Sequence, residues 1–386
     1  MISIQKKIET VMSGDNNHEY VLLGSFLSVV SKAYGGAVKL RQKLYQQGVF
    51  KSRRLPCSVI SVGNLSVGGT GKTPLTIYLA DLIKNLGYKV AVVSRGYKGR
   101  SEKAGGIVSD GGALMTDSRI AGDEPYMMAA KLKDVPVIVG KNRYEAGMLA
   151  VREYDPDVLV LDDAFQHLKL RRDLDLVLLD YRRPFGNGQL LPRGIMREPI
   201  SALSRADALI FTRSDAQSDS ETSSCYSKFR RYLVEKPMFK AYHIPYVHKV
   251  VRGEKSIFDG NSERSLTWDS EDFKGRSAVV FSGLANNRNF HGILKGLKCI
   301  VKSSLEFPDH HFYSDTDIQS ITESAKKYRA EFLITTEKDF VRIADIIKWP
   351  VDLVVVGIEV SLGPDADSFS TFIQSRLHHQ NLGSRL

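Results

Sequence analysis

The segment Ser66-Val67-Gly68-Gly69-Thr70-Gly71-Lys72-Thr73 has the residue types of a phosphate cradle. Glycines 68, 69 and 71 let the backbone wrap closely round phosphate oxygens, so that successive N–H groups and the start of a following helix point at them. Lys72 is placed to neutralise the β and γ charges of a nucleotide, and Thr73 to offer its hydroxyl to Mg²⁺. The strict pattern G-x-x-x-x-G-K-[ST] asks for glycine where this chain has Ser66, but serine there needs only a backbone that avoids positive φ. Such a loop needs a carboxylate at the end of a neighbouring strand to hold Mg²⁺ or its waters. Asp157-Val158-Leu159-Val160-Leu161-Asp162-Asp163 provides two. Adjacent carboxylates at a strand end are costly without a cation, which favours a metal site at Asp162 and Asp163 over a pair that caps the next helix. Gln166 and His167 follow at a spacing that puts them on the same side, and Gln166 joins the expected metal set with Thr73.

The loop sits where that chemistry requires. Cys57 to Val62 reads as a strand and Pro74 to Lys84 as a helix, which gives the strand–loop–helix context. Short apolar runs alternate with helical patterns at Val59 to Val62, Val90 to Val93, Val135 to Val139, Val158 to Leu161, Leu176 to Leu179 and Ala208 to Phe211. Runs apolar on both faces belong to a parallel sheet covered by helices, so this is an α/β domain. A polar, Ser-rich connection spans Asp215 to Ser224, and Phe239 to Val251 reads as two short strands broken by Pro245. A second α/β pattern follows through Ala278 to Phe281, a helix from about Asn289 to Ile300, Glu331 to Thr335 and Leu353 to Val356. The tail after Gly363 is weakly patterned and expected to fray.

With 386 residues, two domains are the default. Cys57, Cys225 and Cys299 lie apart with no metal or redox spacing, which points to a reducing compartment. The polar start and the lack of any apolar run of spanning length argue against a secretory signal or a membrane span. The net charge of +10 is concentrated near the N-terminus, where no Asp or Glu occurs between Tyr20 and Ala80. Val21 to Val30 is mostly apolar, and Val38, Leu40 and Leu44 then interleave with Lys39, Arg41 and Lys43. Such a segment can lie in a bilayer interface with its cations against lipid phosphates, or pack on the protein with a solvated basic face.

Taken together, "SVGNLSVGGTGKTP", "SRGYKG", "AGDEP", "VLDDAFQH", "FGNGQLLPRG" with "MREP", and "FPDHHF" followed by "TTEKD" resemble the tetraacyldisaccharide 4'-kinase family, the lipid A 4'-kinases of Gram-negative bacteria. The match is collinear from about Ala37 to Val356. It implies two α/β/α sandwich domains, the first a phosphate-loop NTPase-like parallel sheet, joined by a two-stranded β linker. The expected division is an apolar and basic membrane-associating segment (1–36), the phosphate-loop kinase domain (37–238), the linker (239–256) and a C-terminal α/β domain (257–386). The resemblance further implies ATP as donor, with Mg²⁺, and a tetraacylated lipid A disaccharide 1-phosphate as acceptor at its 4'-hydroxyl. A peripheral monomer on the cytoplasmic face of the inner membrane is expected.

The family's catalytic base falls on Asp123, in Ala121-Gly122-Asp123-Glu124-Pro125, and its supporting histidine on His310, with His311 as the rival. An alcohol attacking a γ-phosphate must lose its proton, and a carboxylate can accept it when a neighbouring histidine orients it or relays the proton. Read without the family, Asp123 would be a helix N-cap with Pro125 in the first turn. If Asp123 and His310 act as a pair, the two domains must meet at the active site. Arg143 and Arg197 match basic positions that would stabilise charge on the transferring group or hold the acceptor's own phosphate. The alternative is a nucleotide-dependent phosphate-loop protein that grips nucleic acid through its basic N-terminus, with Tyr34, Tyr45 and Phe50 among the cations as its support. The lipid-kinase reading expects no nucleic-acid partner.

Overall fold

Strands rich in Val, Ile and Leu and buried on both faces assemble into parallel sheets wherever helices can cover them. A computed structural model describes Met12, Tyr232, Phe290, Gly292, Ile346 and residues 21–212, 236–255, 270–284, 294–344 and 348–383. The connection read at Asp215 to Ser224, and Cys225, lie outside these residues, as does part of the helix expected from Asn289. The chain divides into two compact units, residues 1–243 with 360–386, and residues 244–359.

In the first unit the elements are α1 (Val21–Gln46), β1 (Ser58–Asn64), α2 (Lys72–Asn85), β2 (Val90–Ser94), β3 (Gly106–Ser109), α3 (Asp123–Lys131), β4 (Val137–Val139), α4 (Arg143–Tyr154), β5 (Val158–Asp162), β6 (Leu174–Asp180), β7 (Ala208–Thr212) and the start of β8 (Met238–Val251). Its strands run in the order β8-β7-β6-β1-β5-β2-β4-β3. All pairs are parallel except the edge strand β3 against β4. The six apolar runs read from the sequence are β1, β2, β4, β5, β6 and β7. One core lies under α2, where Leu75, Leu79 and Ile83 meet Ile60, Val92, Val160 and Leu176. A second, across the sheet, gathers Val59, Val93, Ile138 and Leu161 against Ala146 and Ala150 of α4.

The second unit carries the rest of β8, β9 (Ser277–Ser282), β10 (Ile300–Glu306), α5 (Asp315–Lys327), β11 (Phe332–Thr336), α6 (Glu337–Ile343) and most of β12 (Asp352–Ser361). Strands β10, β9, β11 and β12 are neighbours in that order, with parallel pairing throughout. Ile300, expected to end a helix, instead begins β10, an edge strand with exposed Ile300 and Val301.

Three boundaries differ from the sequence reading. Phe239 to Val251 lies in one strand of 14 residues, not two. Pro245 lies beyond Met238 to Ala241, the part of β8 that pairs with β7, so its missing N–H costs that ladder nothing. The second strand that joins the units is β12, which passes from the second unit to the first between Glu359 and Val360. Residues from 360 on therefore do not belong with the C-terminal domain expected at 257–386, and the tail expected to fray after Gly363 is helical over its described residues 366–383. It forms α7 (Ala366–Gly383), whose Phe369, Ile373 and Leu377 are buried in the core of the first unit. Its apolar face, Phe369, Phe372, Ile373 and Leu377, is interleaved with Ser, Thr and Gln, which leaves a weak pattern in the sequence.

Helix α1 is continuous across the boundary placed at 36 and 37. Its inner face packs on the first unit: Leu27 and Ser31 are buried, and Ser31 Oγ donates to the Leu190 carbonyl at 2.9 Å. Its outer face presents Leu22, Phe26 and Val29 at 88%, 65% and 67% exposure. The segment thus packs on the protein and also shows an apolar surface. Among the described residues no helix is long and apolar enough to cross a membrane.

Phe369 is fully buried, with its ring 5.0 Å from that of Phe239 and 6.4 Å from that of Tyr78. Phe369→Ala should cost about 3–5 kcal/mol in urea unfolding of the first unit. A loss below ~1 kcal/mol would mean that α7 is not part of that core.

Candidate active site

The glycine-rich loop leaves β1 and enters α2 with the geometry of a phosphate cradle. Gly68 has φ of 109° and Gly71 of 84°, values that an L side chain rarely adopts. Gly71 is constrained twice, since a Cβ there would stand 2.3 Å from Nε2 of His243, a residue of the same unit. Ser66, in the position of the missing glycine, keeps negative φ and is buried in a backbone bridge to Met196. Val67 N donates to the Ile195 carbonyl at 2.8 Å, and Asn64 Nδ2 donates to the Thr70 hydroxyl at 2.8 Å. These bonds brace the loop from both flanks. Gly69 is exposed on it, and Lys72 and Thr73 open the first turn of α2.

The parallel register sets Val62 of β1 beside Asp162 of β5, so the carboxylates come out at the level of the loop. They meet opposite surroundings. Asp162 is 2% exposed, accepting from Thr76 Oγ1 at 3.2 Å and Ser94 Oγ at 3.0 Å. Burial first, then the charges of Glu124 and Asp163, push its carboxyl up to about 7, against the pull of Lys72. Asp163, in the left-handed region with φ of 46°, carries Arg197 Nη1 at 2.9 and 3.0 Å on its two oxygens and Lys72 Nζ at 3.7 Å. Burial raises its carboxyl, but Lys72 and Arg197 outweigh it and bring it below the usual carboxylate range.

The expected pair of metal ligands is therefore divided. Asp163 is already neutralised by two side-chain cations, so the argument that it needs a metal does not hold in this arrangement. Asp162 and the Thr73 hydroxyl remain, an all-oxygen donor set with one carboxylate, which fits Mg²⁺ retaining several waters. Gln166 is turned elsewhere: Nε2 donates to the Asn64 carbonyl at 2.8 Å and Oε1 lies 3.5 Å from Arg197 Nη1. No cluster of three or more His, Cys, Asp or Glu suited to a metal occurs among the described residues.

Arg143 opens α4 and is 3% exposed, donating to the carbonyls of Gly140 at 3.1 Å and Asp162 at 3.4 Å. Burial brings its guanidinium down to about 10 despite the opposing charges of Asp162 and Asp163. Its Nε, fully enclosed, has no hydrogen-bond partner among the described residues. A buried cation with an unspent donor beside the loop suits an anion. Asp123 is buried at the start of α3, where Gly122 and not Asp123 is the capping residue. The simple N-cap reading of Asp123 therefore fails. The charge of neighbouring Glu124 contributes to raising the Asp162 carboxyl.

His310 lies in the second unit, between β10 and α5, with φ of 62°. His311 is otherwise engaged: Nε2 is 2.9 Å from Asp317 Oδ2, in the capping box of α5, and its ring stacks on Phe307 at 4.9 Å. Sequence reasoning missed Thr76 and Ser94, which hold Asp162, and Asn64, which holds Thr70. It also missed Tyr34 and Arg41 of α1, whose side chains donate to the carbonyls of Arg197 at 2.8 Å and Gln166 at 3.1 Å. Only the i, i+4 position of Thr76 after Lys72 was a usable signal.

Residues 23–378 match the family profile of the tetraacyldisaccharide-1-P 4'-kinases. The chain belongs to the tetraacyldisaccharide 4'-kinase family. A tetraacyldisaccharide 4'-kinase of Desulfatibacillum aliphaticivorans is 41% identical over 380 residues, covering 98% of this chain and 99% of that protein. One from Syntrophus aciditrophicus is 38% identical, covering 88% and 89%. Among solved structures, LpxK from Aquifex aeolicus in complex with ATP superposes with a TM-score of 0.71 at 34% identity, covering 92% of this chain and 99% of that one. Membership sets aside the nucleic-acid alternative. Two of its aromatic supports are also spent in the fold, since Tyr34 serves Arg197 and the Tyr45 ring packs edge-on to Phe50 at 5.3 Å.

The raised Asp162 carboxyl makes stability depend on pH. An unfolded carboxyl titrates near 3.8, so between that value and about 7 the folded protein holds a proton that the unfolded chain has lost. Stability attached to that proton is present below pH ~4 and is lost as pH rises through about 7. Asp162→Asn lacks the titration. Without nucleotide, its stability relative to the parent should rise between pH 4 and 8, by something on the order of 2 kcal/mol in urea unfolding. A constant difference across that range would contradict the assignment.

Proposed function

We infer that this kinase transfers the γ-phosphate of ATP to the 4'-hydroxyl of a tetraacylated glucosamine disaccharide 1-phosphate, a step of lipid A biosynthesis. The observation that carries the reading is the braced loop from Ser66 to Thr73, with Lys72 at the start of α2 beside the carboxylates at the end of β5, in a chain of this family. In this reading the loop N–H groups and the start of α2 hold the β and γ phosphates, and Lys72 follows the charge as it moves to the bridging oxygen. Thr73 and Asp162 hold Mg²⁺, which when bound shields the phosphate charges from the incoming oxygen. Arg143, through its unspent Nε, and Arg197, steadied by Asp163, supply fixed positive charge to the transferring group or to the acceptor's phosphate. Asp123 takes the proton of the attacking hydroxyl, and His310 supports it.

Lys72→Ala should fold normally and lose on the order of 10³-fold or more in kcat/KM, read as transfer of labelled γ-phosphate to lipid A disaccharide 1-phosphate. Near-normal turnover would reject the phosphate-loop assignment.

The acceptor is a lipid, and the outer face of α1 supports a place for the enzyme on the cytoplasmic face of the inner membrane, as a peripheral monomer. Leu22, Phe26 and Val29 are exposed on that face, and Lys32 and Lys39 follow on the same helix. Apolar side chains at the acyl boundary with cations at the headgroups is the arrangement of interfacial helices. Replacing Phe26 and Val29 together by Asp should reduce pelleting with anionic liposomes severalfold and raise the apparent KM for vesicle-borne acceptor, with ATP hydrolysis little changed. Undiminished pelleting would place the anchor elsewhere.

A further inference from the structure

Helix α1 reaches the candidate site with its inner face. Helix positions three, four and seven apart share a side, so Leu27, Ser31, Tyr34, Val38 and Arg41 form one stripe. Leu27 and Ser31 are buried and the other three are half-buried. Gly35, beside the stripe, lets the helix come close, since a Cβ there would stand 2.7 Å from Leu190 Cδ1. Each polar side chain of the stripe donates to a backbone carbonyl: Ser31 Oγ to Leu190 at 2.9 Å, Tyr34 OH to Arg197 at 2.8 Å and Arg41 Nη2 to Gln166 at 3.1 Å. Burial, with the charge of Glu198, raises the Tyr34 phenol against the pull of Arg197 and Arg41, so it keeps the proton that it donates.

The three acceptors converge on Arg197. Its N–H donates to the Leu65 carbonyl at 2.7 Å and its own carbonyl takes the Tyr34 hydroxyl, which fixes the root of the side chain from both directions. Leu190, held by Ser31, forms a backbone bridge to Met196, the residue before Arg197. Gln166, held at its carbonyl by Arg41, sends its side chain back between Asn64 and Arg197: Nε2 donates to the Asn64 carbonyl at 2.8 Å and Oε1 lies 3.5 Å from Arg197 Nη1. The tip of Arg197 is completed by Asp163, at 2.9 and 3.0 Å. A long side chain presents its charge at one fixed point only when root and tip are both held, and α1 contributes to each.

We propose that Tyr34 and Arg41 are positioning residues for phosphoryl transfer that act through Arg197, Tyr34 at its root and Arg41, by way of Gln166, at its tip. The inference rests on the reading that Arg197 supplies positive charge to the transferring group or to the acceptor's phosphate. It gives α1 two separable duties, an outer face toward the bilayer and an inner face that belongs to the active site. Both residues work through backbone carbonyls, and no covalent bond or proton changes hands at either.

The test uses the full chain with the acceptor in mixed detergent micelles, so that adhesion to a bilayer does not limit the rate. Tyr34→Phe keeps the ring and removes the hydroxyl. It should lose roughly tenfold in kcat/KM for lipid A disaccharide 1-phosphate, with KM for ATP and pelleting with anionic liposomes unchanged. Adding Arg41→Gln should bring the loss to the order of 10²-fold. In an Arg197→Ala background, itself down on the order of 10²-fold, Tyr34→Phe should cost less than about twofold, because the group that it positions is gone. An equal loss in both backgrounds would make the role of Tyr34 independent of Arg197 and overturn the inference. Near-parent activity of Tyr34→Phe would overturn it too, as would a raised KM for ATP, which would place the effect at the phosphate loop. Full activity in Arg197→Ala would reject the reading of Arg197 itself, and the inference with it.

Discussion

Two adjacent carboxylates inside a protein cannot both be charged without cations at hand, and the end of β5 is organised around that constraint. The fold meets it by giving each a different partner. Asp163 turns into the left-handed region and takes Arg197 and Lys72, while Asp162 stays in line with the strand, hydrogen-bonded to two hydroxyls and held close to neutrality. Lys72 bears on both, lowering one carboxyl and restraining the rise of the other. A phosphate or a divalent cation entering this neighbourhood changes the partners of every member, which is the electrostatic reason that the lysine of the loop and the carboxylates of the strand belong to one device.

Much of the first unit was legible in the sequence because its signals are local. Six buried strands announced themselves as apolar runs, and the glycines at 68 and 71 as positions of positive φ. What escaped was what tertiary structure decides. Strand β3, with Gly106 and Ser109 at its ends, has no apolar run, and β10 alternates too weakly to be told from a helix end. Helix α7 reads as a tail because its apolar stripe is thin, yet Phe369 and Ile373 meet a core assembled from residues far earlier in the chain. Pro245 was expected to break a strand, yet β8 runs through it, and its missing N–H lies beyond the pairing with β7.

In the candidate site the residue types were readable and their division of labour was not. Sequence placed Asp162 and Asp163 side by side as equal metal ligands, and only the positions of Arg197, Thr76 and Ser94 distinguish them. The same holds for the histidine pair. His311 is claimed by Asp317 and Phe307, and His310 by Lys338 and Arg342, partners between 4 and 32 residues away. Motif spacing identifies which groups are present; the non-local hydrogen bonds assign their states.

The route of the chain has a consequence for its synthesis. The second unit is one uninterrupted stretch, 244–359, and every strand and helix of its cores is in hand once that stretch has emerged. The first unit begins before it and continues after it, with Phe369, Ile373 and Leu377 made after the whole of that stretch. On the ribosome the middle of the protein can therefore complete its folding while the phosphate-loop unit still waits for a covering helix. The phosphate-loop unit is begun early in sequence but its core is closed late, which leaves the apolar surface beneath α7 uncovered in the nascent chain until that helix is made.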